Sequence, residues 1–215
     1  MWILEQYRKA GCFFREKLCK LFLVLCISFV GLSVLSGIAL ATYPDILHEF
    51  IQQIVTGFEE KGLFEEGGIS FFHLFFNNVT ASATSTILGG IPFFFLTVLP
   101  VLANALVLGA MGALYQTYGI GLEVFFVGIL PHGILELPAL LVSFALGLYL
   151  CWVLTAKICG QRERSFFQAL NQSARFYVLI VLPLLFVAAV IKIRGIVHKL
   201  DKNFLHNIFG ILHVF

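Results

Sequence analysis

Residues 21–43 read LFLVLCISFVGLSVLSGIALATY, 23 positions without a charge. As a helix rising 1.5 Å per residue the run covers about 35 Å, and bilayer hydrocarbon is about 30 Å thick. In lipid only a helix or a closed barrel satisfies every backbone N–H and C=O. A cleaved signal is the rival reading, because Ala39-Leu40-Ala41 has the form of a cleavage site. The apolar core of such signals is only about 7–15 residues long. The stretch therefore reads as an uncleaved first span.

The remainder agrees. Of 215 residues, 60% are hydrophobic and 12% charged, with a mean hydropathy of +0.96. Soluble domains carry roughly twice that share of charge. The short alternating segments of an outer-membrane barrel are missing. The expectation is an all-α, polytopic helical membrane protein of about five transmembrane helices, with interfacial or re-entrant helices besides. All of 1–215 forms one membrane domain. A net charge of +2 gives no nucleic-acid footprint. The five cysteines make no paired framework. Cys12, Cys19 and Cys26 are seven apart, so one helix face should carry them into a packed seam.

Outward from the first span, residues 1–20 are a basic segment with Arg8, Lys9, Arg15, Lys17 and Lys20. Residues 44–68 are acidic, and Ile46, Phe50, Ile54 and Phe58 recur every four positions. That pattern predicts an amphipathic helix, resting on headgroups or offered to a soluble partner, ended by a turn at Gly67-Gly68. Residues 69–88 hold His73, Asn77, Asn78, Thr80, Ser82, Thr84, Ser85 and Thr86. A span this polar must bury that face against other helices or line a polar cavity. A third span is expected from Pro92 to about Tyr115, kinked at Pro100. Its Ala105, Gly109 and Ala113 make a small-residue stripe, serving internal packing or a homodimer seam. Residues 122–155 exceed one span, and Pro131-His132-Gly133 should break them into a short helix at 122–130 and a span over 134–155. The last run is Phe176 to Ile191, kinked at Pro183, followed by a basic tail at 192–215.

Positive charge stays on the cytoplasmic side. Residues 1–20 and 157–175 are then inside, and 44–68 outside. Five spans put the C-terminus outside, whereas the tail's Lys192, Arg194, Lys199 and Lys202 favour inside.

Chemistry concentrates at Pro131-His132-Gly133-Ile134-Leu135-Glu136-Leu137-Pro138-Ala139. His132 and Glu136 share a helix face, and that face continues through the small residues Ala139, Ser143 and Gly147. Ionisable groups in apolar surroundings are costly and mark function by default. Three roles fit: a structural latch, a proton or ion site, or two ligands of a metal with His73 as a third. No HExxH accompanies them. Asn77, Asn78 and Asn104 are natural partners, and a network with His132 and Glu136 would satisfy each amide. Catalytic signatures such as GxSxG or a Walker loop are missing. No cofactor is expected.

Asn77-Asn78, Gly89-Gly90, Asn104 with Leu108-Gly109, and then PHGxxELPA at 131–139 follow one another in an order and spacing that resembles the stage II sporulation protein M family. The resemblance covers about residues 70–155, and its specific part is the PHGxxELPA string. It implies a multi-pass protein of the bacterial inner membrane with a cytoplasmic N-terminus. It further implies a non-enzymatic scaffold in engulfment that recruits septal peptidoglycan hydrolases resembling sporulation proteins D and P. The wider family often has an acidic residue in the last span, whereas Phe186 to Ile191 has none. Membrane lipid and a second copy of the chain complete the expected partners. A transporter or permease-like subunit with a polar intramembrane site is the alternative. An intramembrane metal-dependent enzyme is the third reading.

Overall fold

The computed structural model describes residues 2–60, 64–65, 68–69, 71–93, 95–160 and 165–194. Six helices carry this part of the chain. Helix α1, Trp2–Thr42, joins the basic segment and the first span without interruption. Helix α2 is Pro44–Glu60, and a two-residue antiparallel pair comes next, β1 (Phe64–Glu65) with β2 (Gly68–Ile69). Then come α3 (Phe71–Leu88), α4 (Val98–Thr117) and α5 (Leu122–Ile158). Helix α6 runs from Phe166–Phe176 through a π-turn at Tyr177–Val181 into Leu182–Arg194. Gly67, Arg162, Arg164, the side chain of His132 and the tail beyond Arg194 lie outside the described residues.

Four helices are long and apolar enough to cross a membrane: α1, α4, the Gly133–Ile158 part of α5, and α6. Helix α3 is the second of the five expected spans, and its polar residues keep it out of that apolar class. It packs against α5 and α6 instead. Helix α5 is the axis of the bundle, in contact with α1, α3, α4 and α6. In its apolar window 72% of residues are buried, against 17% in α1. The outer flank of α1, with Val24, Ile27, Val30 and Leu35 exposed, is left for lipid.

Several expectations are corrected. Pro131-His132-Gly133 does not break its helix, because α5 is continuous for 37 residues. In lipid a broken helix strands several polar groups, while one proline removes a single bond. Pro100 does not kink the third span. The span starts at Val98, so Pro100 sits in the first turn, where its missing N–H costs nothing. The apolar face of α2 is centred one residue on, at Leu47 and Ile51, and Ile46 is exposed.

Both long flanking helices contain one π-turn. In α1 it spans Phe14–Leu18, with the Cys19 N–H bonded to Phe14 O. The added residue changes the phase of everything before it. Cys12 is therefore exposed while Cys19 and Cys26 are half-buried, so the expected three-cysteine seam does not form. In α6 the π-turn ends at Val181, two residues before Pro183, the position of the expected kink. The first π-turn meets the residue just before the second: Phe14 stacks on Phe176, centroids 5.9 Å apart and planes at 17°.

Candidate functional site

The polar residues of α3 divide by helical phase into two faces. His73, Asn77, Thr80 and Thr84 lie three or four residues apart, and with Ser85 and Pro100 of α4 they line an open groove of about 520 Å³. Asn78, Ser82 and Ser85 are buried. The polar span thus meets both demands its composition makes, one face sealed against helices and the next lining a cavity.

On the sealed face, hydroxyls tie three helices together. Ser82 Oγ and Tyr177 Oη are 2.6 Å apart, and Tyr177 Oη also lies 3.2 Å from Val79 O. Thr86 Oγ1 shares its proton between Ser82 O at 3.0 Å and Ser143 O at 3.2 Å. Thr97, fully buried at the foot of α4, donates to Ser85 O at 3.0 Å. Ser143 Oγ turns back to Ala139 O at 2.9 Å. Each bond spares a polar atom from facing hydrocarbon. Tyr177→Phe removes the one cross-helix hydroxyl pair that α6 makes to α3 among the described residues. The expected loss is about 1 kcal/mol, near the mean for interhelical bonds in membranes. Thermal unfolding of the purified protein in detergent checks it.

Small residues set the helix spacing. Ala139, Ser143 and Gly147 are buried along α5. A Cβ on Gly147 would overlap the carbonyl of Ser85 and the side chain of Thr97, and one on Gly89 would overlap Gly147 O. Ala105, Gly109 and Ala113 are buried along α4, where Gly109 lies against Ser33, Ser36 and Gly37 of α1. Both stripes are occupied within the chain, so a second copy would meet other surfaces.

Segment 89–97 joins α3 to α4 and is clamped to the end of α5. Cys151 Sγ donates to Ile91 O at 3.3 Å, and the Phe93 N–H donates to Thr155 Oγ1 at 2.9 Å. Phe93 has φ +68° and Phe95 φ +47°, positions that cost about 1–3 kcal/mol where the residue is not glycine.

The expected polar network is distributed over this frame. His73 and Asn77 line the groove, and Asn104 Nδ2 donates to Pro100 O, one turn back on α4, at 2.8 Å. Among the described residues Asn78, Asn104 and Glu136 are outside the groove lining. Glu136 is half-buried on α5, and the His132 side chain lies outside the described residues. Among the described residues no three His, Cys, Asp or Glu side chains gather in a metal-binding geometry. Tyr177 and Thr97 join the site without having been expected there, because a tyrosine and a threonine in apolar runs carry no local signature.

At the other end of the bundle α2 lies across the end of α4. Leu47 and Ile51, each 1% exposed, pack on Ala110, Ala113 and Leu114. Tyr118 Oη lies 3.4 Å from His48 Nδ1. Asp45, His48, Glu49 and Gln52 then line a shallow cleft with Pro44 and Tyr118.

No curated protein and no solved structure matches this chain. The stage II sporulation protein M family matches over residues 22–192, from the first span to the end of α6. With four membrane-crossing helices inside or overlapping that stretch, the chain is a membrane protein and belongs to the stage II sporulation protein M family.

Proposed function

We propose that this protein is a non-enzymatic scaffold of the bacterial inner membrane, N-terminus in the cytoplasm, that holds peptidoglycan-remodelling enzymes at a septum during engulfment. The observation that carries this reading is the fastening of α2. Its apolar side is locked onto α4 by Leu47 and Ile51, and Asp45 and Glu49 face outward. A helix held this way presents carboxylates at fixed positions, which suits a basic surface on a partner. The bundle behind it is tied by glycine contacts and hydroxyl bonds, as an anchor requires. By charge, residues 1–20 and the α5–α6 connection belong to the cytoplasmic side, and α2 to the other.

The test is cross-linked affinity purification from the native host, read by mass spectrometry. Wild-type protein should bring down peptidoglycan hydrolases. Asp45→Lys with Glu49→Lys should cut their recovery about ten-fold, equivalent to ~1.4 kcal/mol of binding, while the protein accumulates normally. Undiminished recovery with the variant defeats α2 as the docking helix, and recovery of no septal protein defeats the scaffold. The groove between α3 and Pro100 favours one second reading, a permease-like subunit, since polar residues beside a proline-bearing helix end are what such sites use. Recovery of an ATPase subunit selects it.

A further inference from the structure

The opposite end of the bundle holds a feature that the scaffold reading does not use. The N-terminal turns of α1 and the first turns of α6 enclose a cleft of about 490 Å³. Arg8, Lys9 and Lys17 enter it from α1 and Arg175 from α6, with Glu16 the only carboxylate in the lining. Lys9 is engaged by Glu5 at 2.7 Å. Among the described residues Arg8, Lys17 and Arg175 make no ion pair. With Glu16 in the lining and Glu5 on Lys9, the cations still outnumber the carboxylates, and that excess favours an anion among them.

The surroundings say where the anion comes from. The cleft floor includes Ala10 and Phe13, both buried. The same two helix ends also carry exposed apolar residues: Trp2, Ile3, Leu4 and Tyr7 on α1, and Phe167 and Leu170 on α6. Helical segments with a basic face and exposed Trp, Phe and Leu lie in the headgroup layer. Helix α1 is about 60 Å long at 1.5 Å per residue, twice the hydrocarbon thickness, so its first turns lie beyond the apolar core. Arg175 directly precedes the apolar run 176–191, which sets it at the edge of the hydrocarbon where headgroups carry phosphate, and Arg8 and Lys17 line the same cleft.

We infer that this cleft binds the phosphate of an anionic lipid headgroup, with Arg8 and Arg175 as its principal donors from the two helices. Guanidinium forks suit phosphate oxygens bidentately, and Lys17 adds a point charge. Such a lipid would staple α1 to α6 across the Phe14–Phe176 stack. The inference does not depend on the scaffold reading, and its test involves no protein partner.

The experiment is thermal unfolding of the purified full chain in neutral detergent, titrated with cardiolipin, phosphatidylglycerol or phosphatidylcholine. Anionic lipid should raise the midpoint saturably, and phosphatidylcholine should not. Arg8→Gln with Arg175→Gln should weaken the apparent affinity about ten-fold or more. Arg15→Gln with Lys20→Gln removes the same charge outside the cleft and should respond like wild type. Lys17→Gln, a change at an exposed position, keeps the test open if the double variant does not fold, and it should weaken the response in the same direction. Equal losses in the cleft and control pairs would mean diffuse attraction and overturn the site. An unaltered response in the cleft variants overturns it too. Inorganic phosphate or glycerol phosphate reproducing the full effect at millimolar concentration would overturn the lipid as the source.

Discussion

Gly147→Leu should sharply lower the stability and the amount of folded protein in the membrane. Position 147 faces the end of α3 and the foot of α4, and even a Cβ there overlaps Ser85 O and Thr97. Both obstacles are fixed. The first is backbone, and the second is a fully buried side chain whose hydroxyl is bonded to that same carbonyl. Relief by movement of α3 is blocked, because Gly89 already touches the Gly147 backbone and segment 89–97 is held at Ile91 and Phe93. Overpacking of a dense core costs about 1–3 kcal/mol and sometimes more. Breaking the Thr97–Ser85 bond with no water nearby adds about 1–3 kcal/mol. Together these are about 2–6 kcal/mol against total stabilities of about 5–15 kcal/mol, a large part of the margin. Fluorescence-detected size exclusion of a tagged variant reads the outcome. A monodisperse peak at wild-type abundance and melting temperature would refute the contact.

Gly109→Leu should have the next largest effect, at the most extensive helix pair, α1 with α4. A Cβ at 109 overlaps Ser36 Oγ and Ser33 O. The Ser36 hydroxyl could rotate away, but the Ser33 carbonyl is part of α1 itself. The two helices must then separate, and Ser36 loses its 3.5 Å approach to Ala105 O. A graded series isolates the cause. Gly37→Ala brings a Cβ to 3.0 Å from Gly109 O, a tight contact with backbone, and should cost an intermediate amount, and Gly31→Leu, with nothing within 4 Å, should unfold like wild type. Destabilisation of about 2–3 kcal/mol is expected at 109. Equal melting temperatures at 109 and 31 would show that the helices do not meet there.

Much of this arrangement is legible in the residues because lipid leaves the chain few choices. The charge-free run at 21–43 had to be a helix, and the hydroxyl-rich run at 71–88 had to find partners. The small-residue spacing at 105–113 and 139–147 marks the close contacts. The departures have one main origin: rules learned in water. Pro131 and Gly133 would end a helix whose backbone could turn to solvent, but inside α5 the cheaper course is to continue. The last apolar run begins at Phe176, yet α6 begins ten residues earlier, where Ser165 caps it by accepting from the Gln168 N–H at 3.4 Å. The Ser-x-x-Gln spacing at 165–168 is a capping signal that hydropathy alone passes over. The pairing of Ser82 with Tyr177, 95 residues away, has no such signal, since it depends on how three helices settle. The two π-turns are equally hidden, as one surplus residue leaves no mark in a uniformly helical run.

Those π-turns make the chain tolerant of length as well as of identity, one residue at a time. Each holds one residue more than α geometry needs, so the turns on its two sides keep the relative orientation that a helix one residue shorter would give them. The exposed residues at 15–17 could each be exchanged for another helix former with the phase intact. Loss of any one of them would restore a regular α-helix and leave Arg8 and Lys9 facing Arg175. In the terms of an evolving gene, these positions should accept substitutions and a single-codon deletion alike, and a second deletion should be rejected. The instruction they carry is a spare residue.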